Sequence, residues 1–269
     1  MHDNPTFLLG MPRSGTTWLS QLIEAHPSFL VRLSPNYSYP LKNKLNPSST
    51  LNEWTEVLTE AIETTDEFMT QDWQRDAGNL IERPSEARAT RLAIKDTRFH
   101  DTYLAGMRVL PDARTVYLVR NPCAVLYSWH RSPEFPADAD WTQEWRTGTT
   151  RKREGDGEFW GFNDWMDITQ RYLDLSALLP NRVFILRFES LMYELEPTLE
   201  RLMDFLEAPV DQAMAEFARR SHGGHDPNPY SIHKDPNAVL DSWRGNLEET
   251  IEQAVAADLA GTELEQFLR

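Results

Sequence analysis

The sequence has little of what marks secreted, metal-binding or membrane proteins. Its 269 residues include one cysteine, Cys123, which excludes an intramolecular disulfide and any cysteine-rich metal site. No apolar run approaches the roughly 18 residues that a membrane-spanning helix needs, and the N-terminus carries no basic and apolar leader. Histidine and carboxylate residues do not cluster at metal-ligand spacing either. These observations predict a soluble, cytoplasmic protein without a metal.

Basic residues are also scarce. With 27 Lys and Arg against 42 Asp and Glu, the net charge is −15, so we expect no nucleic-acid partner, because that binding depends on a basic patch. Any site for an anion must therefore concentrate its cations locally. The hydrophobic content of 40% is typical of globular proteins, and the length suits one α/β domain. Nothing in the sequence specifies an oligomeric state.

The most informative segment spans residues 6–18. Residues 6–9 form a short apolar run typical of a buried strand, Gly10-Met11-Pro12 breaks it, and Ser14 opens a segment with helical apolar spacing. A strand, a glycine-bearing loop and a helix N-terminus commonly hold a phosphate. The free N–H groups of the first turn and the helix dipole both favour negative charge. The segment therefore predicts an anion cradle.

This loop differs from the loop that binds nucleoside triphosphates. Gly10 and Gly15 have the required spacing, but Thr16-Thr17 stands where Lys-Ser/Thr is needed. The lysine that contacts the β- and γ-phosphates is missing, and a cation, Arg13, stands earlier. A magnesium-dependent kinase loop is therefore disfavoured. The run over residues 12–18 is also much more specific than two glycines at a turn.

Further strands are predicted over residues 92–95, 115–119 and 183–186, and helices over 51–68, 101–110 and 122–129, with residues 30–40 as a loop. Alternating strands and helices predict an α/β fold: a single domain with a central parallel sheet flanked by helices. Ligands bind such sheets at the carboxyl ends of the strands. Arg13, Lys95 and Arg120 all lie at predicted strand ends, so we expect them at one edge of the sheet.

Residues 132–165 differ from the rest in composition. They combine prolines, glycines and four tryptophans. We interpret them as a lid or insertion within a single domain that covers residues 1–269. At least half of the tryptophans are expected to pack into the core, because large aromatic side chains are usually buried.

A second constellation begins at Arg120. Pro122 favours a helix start two residues later, and Ser128 lies eight residues after Arg120, about two helical turns along. An arginine at a strand end and a hydroxyl on the following helix can together bind a dianionic phosphate. The alternative is an arginine paired with a carboxylate and a serine on a solvated helix face.

Residues 12–18, Pro-Arg-Ser-Gly-Thr-Thr-Trp, resemble the phosphosulfate-binding loop of the sulfotransferases that use 3′-phosphoadenosine 5′-phosphosulfate (PAPS). The cytosolic branch of that family usually has a lysine where Arg13 stands, and the arginine resembles the bacterial and membrane-bound branches. Residues 120–128 resemble the 3′-phosphate-binding segment of the same family, and looser similarity extends through residues 186–191 and 231–247. The resemblance implies a P-loop NTPase-like sulfotransferase fold. It also implies sulfuryl transfer from PAPS to a hydroxyl or amine, with adenosine 3′,5′-bisphosphate (PAP) as the product.

The resemblance also implies which residues form the site. The implied cofactor-binding residues are Arg13, Ser14, Gly15, Thr16, Thr17, Trp18, Arg120, Ser128, Lys234 and Arg244. Trp18 would stack on adenine, unless it is a core contact. The implied catalytic residues are Arg13, Lys95, His100 and Asp96. Arg13 and Lys95 would stabilise negative charge. Thr97 replaces the family's histidine, so we expect His100 first and Asp96 second as the base.

Two other functions stay open. One is a small-molecule kinase with a degenerate loop, which the missing loop lysine disfavours. The other is a non-catalytic nucleotide-binding protein, which the joint presence of Arg13, Arg120 and Ser128 disfavours. Tyr37, Tyr39 and the tryptophans of residues 141–165 suggest an apolar or sugar-bearing small-molecule acceptor, such as a natural product or a glycan.

Overall fold

A five-stranded parallel sheet organises the chain. The computed structural model describes residues 4–82, 89–153, 155, 157–224, 233, 235 and 239–269. The strands are β1 Thr6–Gly10, β2 Phe29–Leu33, β3 Arg91–Asp96, β4 Arg114–Val119 and β5 Val183–Arg187. Their spatial order is β2-β3-β1-β4-β5, and every neighbouring pair is parallel. The α/β fold with a central parallel sheet is thus confirmed.

Helices fill the connections between the strands. Those before β4 are α1 Thr16–Glu24, α2 Leu51–Glu63, α3 Glu67–Thr70, α4 Asp72–Asp76 and α5 His100–Val109. Those between β4 and β5 are α6 Pro122–His130, α7 Trp141–Thr147, α8 Thr149–Lys152 and α9 Gly161–Leu178. The last are α10 Phe188–Tyr193, α11 Leu195–Phe205, α12 Gln212–His222 and α13 Glu249–Leu259. Short 3₁₀ helices span Pro35–Tyr37 and Glu263–Leu268.

The sheet separates two hydrophobic cores. Alternate residues of a strand point to opposite faces, so Phe7 and Leu9 belong to the core that contains α2, α5, α6, α9 and α13. Leu8 belongs to the core that contains α1, α10, α11 and α12. All three side chains are fully buried. Burial on both faces explains why the strands are continuous apolar runs.

The expectation of a loop over residues 30–40 was wrong in its first part, because Phe29–Leu33 is strand β2. The charged Arg32 concealed it in the sequence. Arg32 is only 1% exposed, and its guanidinium donates hydrogen bonds to the carbonyl oxygens of Ala61 and Ile62 at the end of α2. A buried arginine is tolerated here because it satisfies carbonyl groups that a helix end leaves without partners.

The helix predicted over residues 51–68 is two helices in the structure. Helix α2 ends at Glu63, and α3 begins at Glu67. The side chain of Asp66 accepts a hydrogen bond from the backbone N–H of Met69 at 3.0 Å. This N-cap contact starts a new helix, because it satisfies one of the donors that a first turn leaves free.

The segment over residues 132–165 contributes to the core. Trp145, Trp160 and Trp165 are at most 8% exposed and belong to the same core as α9, and Trp141 packs against this core while partly exposed. More than half of the four tryptophans are therefore buried, as the sequence predicted. Whether the segment acts as a lid stays a prediction at this point.

Candidate active site

The loop between β1 and α1 has the backbone of an anion cradle. Arg13 and Gly15 both have left-handed backbone angles, with φ of 69° and 95°. A Cβ atom on Gly15 would lie 2.5 Å from the ring of Phe188, so this position requires glycine on two counts. Helix α1 follows directly at Thr16. The first-turn N–H groups, including those of Thr16 and Thr17, therefore face the loop.

Ser14 supports this interpretation of the loop. Its side chain is 1% exposed, and its Oγ has no hydrogen-bond partner within the part of the chain that the structure describes. Its backbone N–H donates to the Met11 carbonyl at 3.1 Å, which tightens the turn. A buried hydroxyl without a partner is costly. An anionic oxygen at this position would satisfy it.

Residues from two distant motifs meet at this loop. The Arg13 Nε donates to the Ser128 Oγ at 3.2 Å, although the two residues are 115 positions apart in sequence. The Arg120 Nη1 donates to the Arg13 carbonyl oxygen at 3.1 Å. The sheet order explains this convergence, because β1 and β4 are hydrogen-bonded neighbours and both loops leave their carboxyl ends.

Arg120 is held from several sides. Its guanidinium lies 4.8 Å above the ring of Phe188 and donates to the Val239 carbonyl at 3.0 Å. Its Nε is buried and has no partner among the described residues. Burial lowers the pKa of Arg120 to about 10, against an opposing effect of Glu189. Arg120 therefore stays charged at neutral pH and keeps a donor for an anion.

Glu189 and Asn121 fix the backbone beside Arg120. Glu189 accepts a hydrogen bond from the Asn121 backbone N–H at 2.8 Å. The Asn121 side chain caps α6 through the Cys123 N–H and donates to the Leu268 carbonyl at 2.9 Å. The C-terminal 3₁₀ helix thus helps to orient the β4–α6 turn that carries Arg120.

Lys95 occupies the end of β3 and is partly buried. Burial is the main cause that lowers its pKa from 10.5 to about 8. Arg98 and Arg13 lower the pKa further, whereas Asp96 and Glu134 oppose this shift. Lys95 and Arg13 are thus within electrostatic reach of each other. The structure brings together the loop cation and the strand-end cation that the sequence predicted at one edge.

The structure places His100 in the core, contrary to the role of first-choice base. It is fully buried, with the rings of Tyr117, Phe159 and Tyr172 within 6.1 Å of its own. Desolvation lowers its pKa to about 3, so the imidazole is neutral at physiological pH. A side chain enclosed in this way cannot reach an acceptor hydroxyl, and we withdraw the assignment.

Asp96 organises the turn after β3 and does not face the site as a free base. One carboxylate oxygen accepts the hydroxyl protons of Ser34 at 2.6 Å and Tyr103 at 2.9 Å. The other oxygen accepts the backbone N–H groups of Thr97 and Arg98, both at 2.8 Å. Burial raises the pKa of Asp96. These contacts fit a residue that orients the loop carrying Lys95.

The remaining predicted site residues have different surroundings. Trp18 is buried in the core around α1, donates from Nε1 to the Ser221 Oγ at 2.9 Å and stacks on His222 at 5.3 Å. Arg244 is exposed and paired with Asp241 at 2.7 Å, and its role in binding the cofactor stays a prediction. Lys234 lies outside the described residues.

Sequence reasoning missed several residues of the site. Ser34 donates to Asp96, Phe188 packs beneath both Gly15 and Arg120, and Glu189 holds the β4–α6 turn. Phe188 and Glu189 lie in the segment after β5 that resembled the family. Their roles had no signal of their own, because each depends on contacts with residues more than 60 positions away.

Comparisons with known proteins support the same class. The model of the sulfotransferase family matches residues 5–212, so the chain belongs to the sulfotransferase family. No curated protein sequence matches it significantly. The resemblance of the two motifs is thereby confirmed at the level of the family.

Solved structures with the same fold are distant in sequence. Mouse sulfotransferase SULT7A1 complexed with PAP has a TM-score of 0.57 at 15% identity, covering 100% of this chain and 89% of that one. The sulfotransferase domain of the Synechococcus PCC 7002 olefin synthase has a TM-score of 0.52 at 19% identity, covering 96% and 95%. Retinol dehydratase in complex with androsterone and PAP has a TM-score of 0.50 at 15% identity, covering 98% and 83%.

Membrane-spanning helices and metal sites were also considered among the described residues. No helix in the described ranges is both long enough and apolar enough to cross a membrane. Within the same ranges, no group of three or more His, Cys, Asp or Glu side chains has the geometry of a metal site.

Proposed function

We propose that this sulfotransferase-family chain transfers the sulfuryl group of PAPS to a hydroxyl or amine of a small molecule, and releases PAP. The observation that carries the proposal is the junction of Arg13, Ser128 and Arg120 beside the β1–α1 loop. Two anion-binding motifs from distant parts of the chain form one cationic site in a protein whose net charge is −15. The mouse structure holds PAP in the same fold.

The residues present suit a ligand with two phosphates. The β1–α1 loop offers backbone N–H groups, the Ser14 hydroxyl and the hydroxyls of Thr16 and Thr17 to a 5′-phosphosulfate. Arg120 and Ser128 would bind the 3′-phosphate, because an arginine fork matches the phosphate oxygens. Trp18 stays a proposed adenine contact. The adenine would pack against the part of the indole ring that His222 and Phe217 do not cover.

PAPS supplies an activated sulfuryl group whose leaving group is a phosphate. By analogy with phosphoryl transfer, the protein accelerates such a step mainly by positioning and by stabilising charge. Arg13 and the loop N–H groups would stabilise charge on the departing phosphate. Lys95 would neutralise the group in transfer. Asp96 would orient this lysine through the turn after β3.

The acceptor is proposed as a small molecule with an apolar or sugar-bearing body. Tyr37, at 46% exposure, and Tyr39, at 93%, lie on the loop after β2, close to Ser34, which contacts Asp96. Exposed aromatic rings beside a polar site suit ring-bearing acceptors, whether natural products or glycans. The cytoplasmic location also stays a proposal, based on the sequence.

Calorimetric titration with PAP tests the proposal. We expect wild type to bind PAP without added metal, and Arg120→Ala to lose about 10- to 100-fold in affinity, as expected for a charge-assisted contact. Arg171→Ala is the matched control, since Arg171 is exposed and paired with Asp101 far from the loop in sequence. Its affinity should equal that of wild type.

Three outcomes would contradict the proposal or a part of it. Wild type that does not bind PAP would refute it. Binding of ATP with magnesium in preference to PAP would instead favour the small-molecule kinase. If Arg120→Ala binds PAP as strongly as wild type does, Arg120 does not bind the 3′-phosphate.

A further inference from the structure

Residues 157–160, which we call the strap, begin the return of the chain toward α9. At the base of the strap Gly148 and Gly161 pack backbone to backbone, with φ of 59° and 84°. A Cβ atom on Gly161 would lie 2.7 Å from the Gly148 nitrogen, and one on Gly148 would lie 2.4 Å from the Trp160 carbonyl oxygen. Only glycine fits both positions. The start of α8 and the start of α9 are therefore held close together.

The other end of the strap is attached to the turn after β3. The Phe99 backbone N–H donates to the Gly157 carbonyl at 2.9 Å. The Arg98 Nε donates to the Glu158 Oε1 at 2.5 Å. The rings of Phe159 and His100 meet edge to face at 5.1 Å. Three successive strap residues thus contact three successive residues of the turn.

Glu158 is the polar centre of this attachment. Its side chain is 4% exposed, and that of Arg98 is 20% exposed. The second carboxylate oxygen accepts the Trp160 indole N–H at 2.6 Å, and Arg151 lies at 4.0 Å. Burying a carboxylate this deeply is costly unless it is paired and hydrogen-bonded. Among these contacts of the Glu158 side chain, the ion pair with Arg98 joins the strap to the turn after β3.

The two ends of the strap lie near the β1–α1 loop and near the turn after β3. Trp160, at the end of the strap, lines an apolar cavity together with Met11 and Pro12, the first residues of the β1–α1 loop. Arg98 at its other attachment lies 4.2 Å above the Tyr37 ring and is within electrostatic reach of Lys95. The strap therefore runs past the carboxyl ends of the adjacent strands β1 and β3.

We propose that Glu158 is a positioning residue: through Arg98 it holds the strap against these strand ends, and the strap shields the sulfuryl group from bulk water. The inference rests on the proposed function. A donor polarised by Arg13 and Lys95 is open to attack by water, and a closed site prevents this side reaction. The unwanted step forms a bond from water oxygen to sulfur. The bond from sulfur to the 5′-phosphate oxygen breaks with its electron pair staying on the phosphate. Both protons of the water pass to solvent, and sulfate and PAP result.

The release of PAP from PAPS in the absence of any acceptor measures the rate of this hydrolysis. We expect Glu158→Gln and Arg98→Met each to raise the hydrolysis rate about fivefold or more. The double variant should hydrolyse PAPS no faster than either single variant, because both substitutions remove the same contact. Asp258→Asn is the matched control. It breaks another arginine–carboxylate pair, Arg146–Asp258, at the exposed surface of α7, and its rate should equal that of wild type.

Titration of each variant with PAP separates positioning from general damage. The proposal requires PAP affinities within about threefold of wild type, because the strap contacts neither Arg120 nor Ser128 in the described structure. Unchanged or slower hydrolysis with intact PAP binding would overturn it. Loss of PAP binding in both variants would also overturn it, because the Arg98–Glu158 pair would then be needed for the folded structure of the domain as a whole. Wild type that fails to bind PAP would refute the proposed function instead.

Discussion

Replacing Lys95 with methionine is expected to stabilise the unliganded protein. The pKa of Lys95 falls from 10.5 to about 8, mainly through burial, and a tenfold step in proton affinity corresponds to about 1.4 kcal/mol. At neutral pH the lysine is charged in both states, so keeping the charge costs the fold up to about 3 kcal/mol. Partial solvent contact reduces this figure, and we expect a gain of about 1–2 kcal/mol.

Urea denaturation and thermal unfolding measure this gain. The Tm should rise by about 2–6 °C for a chain of this size. Methionine keeps the length and volume of the lysine stem, so the packing changes little. Lys42→Met, at an exposed position of the β2–α2 connection, is the control and should stay within about 0.5 kcal/mol of wild type.

The pH dependence makes the test specific. Because the pKa of Lys95 is lowered in the folded state, its cost is fully present below pH 8 and is relieved as the pH rises from 8 toward 10.5. The stability difference between Lys95→Met and wild type should therefore shrink to less than half between pH 7 and about pH 9.5. A variant that is less stable than wild type, or a difference that is independent of pH, would refute the reasoning.

Two further predictions concern the loop and its ligand. Gly15→Ala should lower stability by about 2–4 kcal/mol in urea denaturation, because it strains a φ of 95° and places a methyl group against Phe188. Gly261→Ala, with a φ of 74° and no atom within 4 Å of its Cβ position, should cost only about 1 kcal/mol, and equal losses would contradict the role of Phe188. PAP affinity in wild type should fall about fivefold between pH 8 and pH 9, because the charged fraction of Lys95 in the free protein falls from about one half to about one tenth. A bound anion favours charged Lys95, so binding above pH 8 takes up a proton. Calorimetry in two buffers detects this uptake, and its persistence in Lys95→Met would exclude Lys95 as the source.

Much of the fold was predictable because its signals are local. Four of the five strands are five or six residues long and contain an uninterrupted apolar run. The β1–α1 unit has its strand, glycine and helix start within 13 positions. Strand β2 was not predicted from the sequence, because Arg32 interrupts its apolar run. The carbonyl groups that accept from Arg32 belong to α2, some 30 residues away, and no local pattern reveals such partners.

The chemistry of individual side chains was decided only by the tertiary structure. His100 and Lys95 are five positions apart in sequence, yet the fold encloses the first among aromatic rings and leaves the second partly exposed at the strand end. Burial and partners set the pKa of a histidine, and these come from segments that fold over it. A base inferred from spacing alone could not take this into account.

The sequence by itself determined the family, the strand, loop and helix start of residues 6–18 and the edge of the sheet where the cations collect. These properties follow from residue order, because a strand end and a helix start place backbone donors wherever the chain folds as a parallel sheet. Only the tertiary structure decided that Arg13 meets Ser128, that Phe188 packs beneath Gly15 and Arg120, and that Glu158 holds Arg98. Each of these contacts joins residues at least 60 positions apart, and the packing of the two cores brings them within reach.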